Sequence, residues 1–160
     1  MVCAAALEVQ RIVIEENLLA NVKQMGIYLE RALRQTFKNH PHVGDIRGRG
    51  LFWAVSARSI PLLHYAKLYK LELVNDRESK EPFPSSLGLA MAIHETALSQ
   101  EPGMMIYPGT GSAGGWQGDH VILAPAYNIT ESEIDIMVRA MAAAVDTVLR
   151  RVVKGRKYKL

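Results

Sequence analysis

The chain has 160 residues, 49% hydrophobic and 22% charged, a balance that allows one domain with a genuine core and excludes a disordered polar chain. Its net charge of +3 comes largely from the closing stretch RRVVKGRKYKL (150–160), so the body is near neutral and the basic tail reads as a solvated end. A single cysteine, Cys3, excludes an internal disulfide framework, and no run reaches the ~20 apolar residues that a membrane-spanning helix needs.

The first stretch, MVCAAALEVQRIVIEE, is helical in composition from Ala4 to about Glu16. It acquires charge too early for a signal peptide, and it starts inside a helical pattern without a cap, which suggests a truncated beginning. A second helix follows, with Asn17 as its expected cap. Leu18, Val22, Met25, Leu29, Leu33 and Phe37 recur at spacings of three and four and define one apolar stripe. Pro41 in NHPHVGD ends that helix. IRGRGLFWAV reads as a strand entered through a glycine-punctuated loop. Ser85 or Ser86 is the expected cap of a third helix, in which Leu87, Ala90, His94 and Ala97 share a face. GMMIYP and HVILAP are short apolar runs bounded by Gly and Pro, hence strands, and 104–125 should form an antiparallel strand-loop-strand unit. TESE places Thr130 and Glu133 in a capping box, and Ile134, Met137, Val138, Met141, Val145, Val148 and Val152 continue the last helix as a stripe. Long helices and a few strands predict an α+β fold, a small antiparallel sheet covered by long helices.

Self-contained chemistry is absent from this pattern. The glycine-rich YPGTGSAGGWQGDH lacks the G-x-x-x-x-G-K-[ST] order of a phosphate cradle. RGRG at 47–50 either holds a phosphate or turns the chain into a strand. His40, His42, His64, His94 and His120 show no metal-ligand spacing, so no metal is expected. Asp119 and His120 are adjacent, which in a strand points them to opposite faces and prevents a relay between them. No nucleophile elbow is present, and the basic tail carries no recognisable nucleic-acid motif.

The order CAAALEVQRIVIEENLLANVKQMGIYLERALRQ, HPHVGDIRGRGLFWA, LELVNDRESKEPF and GMMIYPGTGSAGGWQGDHVILAPAYNITESEID resembles the C-terminal part of class III aminotransferases, pyridoxal-phosphate enzymes of fold type I. The resemblance covers nearly the whole chain. It implies that 1–160 is the small C-terminal domain, with the large cofactor-binding domain and the second subunit of a homodimer as its partners. The activity implied is transfer of an amino group from a small-molecule donor to a 2-oxo acid. In the family, Tyr107, Pro108, Gly109, Thr110 and Gly111 would form a substrate-side loop at the mouth of the active site.

Such chemistry needs a lysine to hold the cofactor as a Schiff base and a carboxylate against its ring nitrogen. In the family both precede the region this chain resembles. Lys23, Lys38, Lys67, Lys70, Lys80, Lys154, Lys157 and Lys159 lie in contexts unlike that lysine, so no catalytic residue is expected here and the chain alone should be inactive. Ile122 or a neighbour stands where some relatives carry a carboxylate-binding arginine, and Ala126 where a second proline is usual, leaving ω-amino acids, amines and α-amino acids open as donors. The alternative to an enzyme domain is a non-catalytic remnant that serves as a protein-interaction module. The expected compartment is cytoplasmic, with a mitochondrial one left open. The resemblance also implies an insertion, because relatives run from LFWA almost directly into LELVNDR. Here residues 55–70 intervene, either as a retained short intron, since Val-Ser can be encoded by the splice-donor-like GTRAGY, or as a tolerated surface loop.

Overall fold

A computed structural model describes residues 2–56, 70–79, 81–111 and 117–157. The elements run α1 (Val2–Glu15), α2 (Leu18–Thr36), β1 (Val43–Arg49), β2 (Phe52–Ser56), β3 (Lys70–Leu73), α3 (Leu89–Leu98), β4 (Tyr107–Gly109), β5 (His120–Leu123) and α4 (Glu131–Lys157), with a 3-10 turn at Ser85–Leu87. The sheet order is β1-β2-β3-β5-β4, and every pairing is antiparallel except a short parallel contact between β2 and β3. Helices against a small, mainly antiparallel sheet make the expected α+β fold.

The apolar stripes bury where their spacing says they should. Met25, Leu29 and Leu33 of α2 and Phe37 at its C-terminal cap enter the core, as do Ile134, Val138, Met141, Val145 and Val148 of α4. Sheet residues Val43, Ile46, Trp53, Leu73, Val121 and Leu123 complete it. The capping box at the start of α4 forms in full. The Thr130 backbone N–H donates to Glu133 Oε2 (2.8 Å), and the Glu133 backbone N–H reaches back to Thr130 Oγ1 (3.4 Å). The Thr130 hydroxyl and backbone N–H together hold the Glu133 carboxyl below its usual range. α4 continues to Lys157, so the basic stretch begins as helix rather than as a loose end.

Several local expectations give way to tertiary partners. Asn17 precedes α2 in a left-handed conformation (φ 49°) and makes no side-chain cap, so it turns the chain between two helices instead of capping the second. Neither Ser85 nor Ser86 caps α3. Both lie in the 3-10 turn, and Gly88 (φ 55°) holds the cap position because only that backbone turns the 3-10 segment into the helix. The buried face of α3 is Leu89, Ala90, Ile93 and Ala97, while Leu87 remains exposed. IRGRGLFWAV is two strands, with a hairpin turn at Gly50 (φ 57°) whose carbonyl accepts the Trp53 indole N–H at 2.6 Å. RGRG is therefore a turn. In GMMIYP only Tyr107 onward is strand.

α1 differs from the other helices in that none of its residues is buried. Val2, Leu7 and Ile14 are 84%, 73% and 76% exposed, far beyond what a helix packed on its own core would leave in water. Its charged side is ordered by Arg11, which pairs with Glu8 and Glu15.

Candidate functional site

The glycine-rich region is built on the edge of the sheet. β4 pairs only with β5, in the register Tyr107↔Ile122, Pro108↔Val121 and Gly109↔His120. An edge strand is where a proline is tolerated, since Pro108 has no N–H to offer a further neighbour. The Tyr107 side chain is 73% exposed, and Thr110 is exposed beside it. Gly111 (φ 76°) turns the chain away from the strand, and Gly118 (φ 90°) turns it back toward β5, both in a backbone region that favours glycine. Residues 112–116 of the loop lie outside the described residues.

Gly109 is required by contact rather than by backbone angle. A Cβ there would lie 2.2 Å from His120 Nε2 and 2.5 Å from its Cε1, so the buried imidazole fills the space beneath this position. The loop base is pinned at both ends by one helix. On the incoming side, His94 of α3 donates its Nδ1–H to the Ile106 carbonyl (2.7 Å), and the Met104 backbone N–H donates to the Ala97 carbonyl (2.9 Å). On the return side, Asp119 Oδ2 accepts the Leu89 backbone N–H at 3.1 Å, the first residue of α3. The Asp119 carbonyl also accepts the Leu73 N–H at 3.2 Å, tying the same residue to β3.

Asp119 is 4% exposed, and burial pushes its carboxyl pKa up, partly offset by the Leu89 N–H. A carboxylate at a helix N-terminus completes an otherwise unpaired donor and meets the positive end of the helix dipole. Asp119 is thus the cap that Ser85 and Ser86 do not supply, delivered from 30 residues away. Sequence reasoning considered Asp119 and His120 only as a relay and missed both roles. The GD dipeptide before an apolar run was the one available signal, and it does not name its partner.

The five candidate substrate-side residues stand together: Tyr107, Pro108 and Gly109 in β4, with Thr110 and Gly111 directly after. Ile122 lies in β5 opposite Tyr107, and Ala126 is exposed beyond the strand. The four described histidines do not converge on one another as a ligand set, and His64 lies outside the described residues. His40 Nε2 stands 3.3 Å from Asp146 of α4, His42 Nδ1 donates to the Val74 carbonyl, and His94 and His120 serve the loop base. Among the described residues no group of three or more His, Cys, Asp or Glu could hold a metal ion. Cys3 is exposed on α1. Within the described residues no helix is long and apolar enough to cross a membrane.

A Schiff-base cofactor needs a lysine held out of water. Lys23 and Lys38 both stand in solvent on and just after α2, far in sequence from the β4–β5 edge. Neither of these two side chains fits pyridoxal phosphate, and those of Lys67, Lys70, Lys80, Lys154, Lys157 and Lys159 lie outside the described residues.

Comparison with known proteins identifies the family. The family profile described as Aminotransferase class-III matches residues 1–145. An aminotransferase of Gibberella zeae is 43% identical over 89% of this chain and 25% of its own length. An uncharacterized aminotransferase of Schizosaccharomyces pombe is 39% identical over 89% of this chain and 27% of its own. Among solved structures, a PLP-bound aminotransferase mutant from Vibrio fluvialis superposes with a TM-score of 0.73 at 27% identity, over 94% of this chain and 27% of that one. The chain spans about a quarter of the length of the curated relatives it matches.

Proposed function

Because this chain belongs to the class III aminotransferases, we propose that it is the small C-terminal domain of a pyridoxal-phosphate-dependent transaminase and walls the substrate side of an active site whose cofactor is held elsewhere. The complete enzyme would move an amino group from a small-molecule donor to a 2-oxo acid, as a homodimer. The cofactor would supply the electron sink for that chemistry. This chain would supply Tyr107, Pro108, Gly109, Thr110 and Gly111 beside the substrate, on a loop base pinned by α3.

The observation that carries the reading is the pairing of a family match over residues 1–145 with coverage of only about a quarter of each relative. The solvent positions of Lys23 and Lys38 agree with this division of labour, since a wall needs no Schiff-base lysine. The bare apolar side of α1 supports a partner surface, which a large domain in the same enzyme would cover. The same exposed face is what favours the second reading, a remnant without catalysis that docks to another protein. Cys3, unpaired and exposed, suits a reducing compartment such as the cytoplasm.

Absorbance and turnover separate the readings. The purified chain mixed with pyridoxal phosphate should develop no protein-bound visible band and no transamination with amine donors. Co-expression with the large domain of a close relative should restore both. Turnover by the chain alone overturns the wall reading, and a failure of every large domain to bind it favours the remnant.

A further inference from the structure

We propose that residues 55–70 are an insert between two residues built to be consecutive in one strand, and that joining Ala54 to Leu71 yields a single continuous strand.

Two independent ladders agree on the joint. Along β1, Arg47 pairs with Ala54 and the adjacent Ile46 pairs with Leu71. Along β5, Ile122 pairs with Ala54 and the adjacent Val121 pairs with Leu71. Consecutive residues on both neighbours therefore meet Ala54 and Leu71 as consecutive rungs. Both limbs also run antiparallel to β1 and to β5, so the chain leaves the sheet and returns with the same polarity. Where it leaves, Val55 and Ser56 lie alongside Lys70 and Leu71 as a short parallel pair. The two limbs thus stand about one strand spacing (~4.8 Å) apart at the exit. Adjacent rungs are ~3.4 Å apart along a strand and bonded Cα atoms ~3.8 Å, so one peptide bond spans the joint on the antiparallel ladders. Joining the limbs gives up the parallel pair and leaves Leu71 alone on the Val121 rung that it now shares with Val55.

Pleat phase provides the third agreement. Side chains alternate with a period of two, and a slip of one residue exchanges the buried and exposed faces. In the joined strand Trp53, Leu71 and Leu73 fall on alternate positions. Trp53 and Leu73 are both buried, and Trp53 and Leu71 stand opposite Leu123 and Val121, which are buried too. Removing all sixteen residues keeps this phase, and leaving one of them in place reverses it. The irregularity in β1, between Val43 and Asp45, sits two rungs from the joint and does not account for it.

Three proteins test this: the 160-residue chain, a variant joining Ala54 to Leu71, and a variant joining Ala54 to Lys70 that keeps one extra residue. Closing a loop of sixteen residues lowers a folding constant by about 16 to the power 1.5, roughly 60-fold. The in-phase variant should keep its helix content and gain stability of that order, seen as a thermal midpoint raised by ~5–10 °C. Amide exchange at Val121 and Ile122 should slow. The variant with one extra residue should fall well below it, because everything after the joint is out of phase or bulged. An in-phase variant less stable than the full chain overturns the proposal, as does equal stability of the two shortened chains. The readout is folding alone, so its failure leaves the transaminase reading untouched.

Discussion

Gly26→Ala should destabilise this protein although it improves a helix. Gly26 sits inside α2, where alanine is favoured over glycine by about 1 kcal/mol on helix propensity. Opposing that gain is the hairpin turn. A Cβ on Gly26 would lie 2.5 Å from the Gly50 carbonyl oxygen, 2.6 Å from its carbon and 2.7 Å from its Cα. All three are backbone atoms, so no rotamer relieves the overlap, and α2 must move outward by ~1 Å to reach ordinary contact distance. That movement pulls at Val22, which stands 3.0 Å from the space a Cβ on Gly50 would take, and at the turn whose carbonyl holds the Trp53 indole. Overpacking of this kind costs about 1–3 kcal/mol, more than propensity returns at most of that range. At the middle of that range the expected net loss is ~1 kcal/mol, a fall in thermal midpoint of roughly 2–4 °C for a chain of this length. Urea and thermal unfolding followed by circular dichroism measure it, with Gln24→Ala, exposed on the same helix, as the control expected to be near neutral. A Gly26→Ala protein as stable as the parent would show that the turn yields freely, and the close approach of α2 to the hairpin would no longer count as a constraint.

Asp119→Asn tests the buried cap through its pH dependence. Burial raises the folded-state pKa of Asp119, so the folded protein binds more protons than the unfolded chain between the ordinary aspartate range and that raised value, and stability falls as pH rises through this window. The Asn variant keeps an acceptor for the Leu89 N–H without the charge. It should lack that limb and be at least as stable at pH 7, and an unchanged pH profile refutes the assignment. Thr130→Ala removes the reciprocal cap of α4 and should cost about 1 kcal/mol in urea titrations, with faster amide exchange confined to the first turn; a loss spread along the whole helix contradicts a local cap. If residues 55–70 are a retained intron, cDNA amplified across the Ala54 and Leu71 codons should give a shorter product. A long product alone assigns the segment to a loop carried in the protein.

Some of this protein is written in local order along the chain. The stripes of α2 and α4 and the Thr130–Glu133 box depend on neighbours three and four residues apart, and helix geometry alone brings those together. The apolar run HVILAP announced β5 through immediate neighbours, GMMIYP announced β4 only from Tyr107 onward, and the order of motifs carried the family. What only the tertiary structure decided lies between residues that no spacing relates. Asp119 caps α3 across 30 residues, while the nearer Ser85 and Ser86 spend their backbone in a 3-10 turn. His120 fills the place of a side chain at Gly109, which a sequence shows only as one more glycine in a loop. Gly26, read from propensity, is a weak point in a helix. In the fold it is the only residue type that lets α2 approach the Gly50 turn. That none of the residues of α1 is buried is likewise a property of what the described residues pack against. Local periodicity is determined by covalent geometry and survives in sequence. Capping at a distance, close backbone approach and strand register arise when the chain closes on itself, and there the physics that selects the partner is packing in three dimensions.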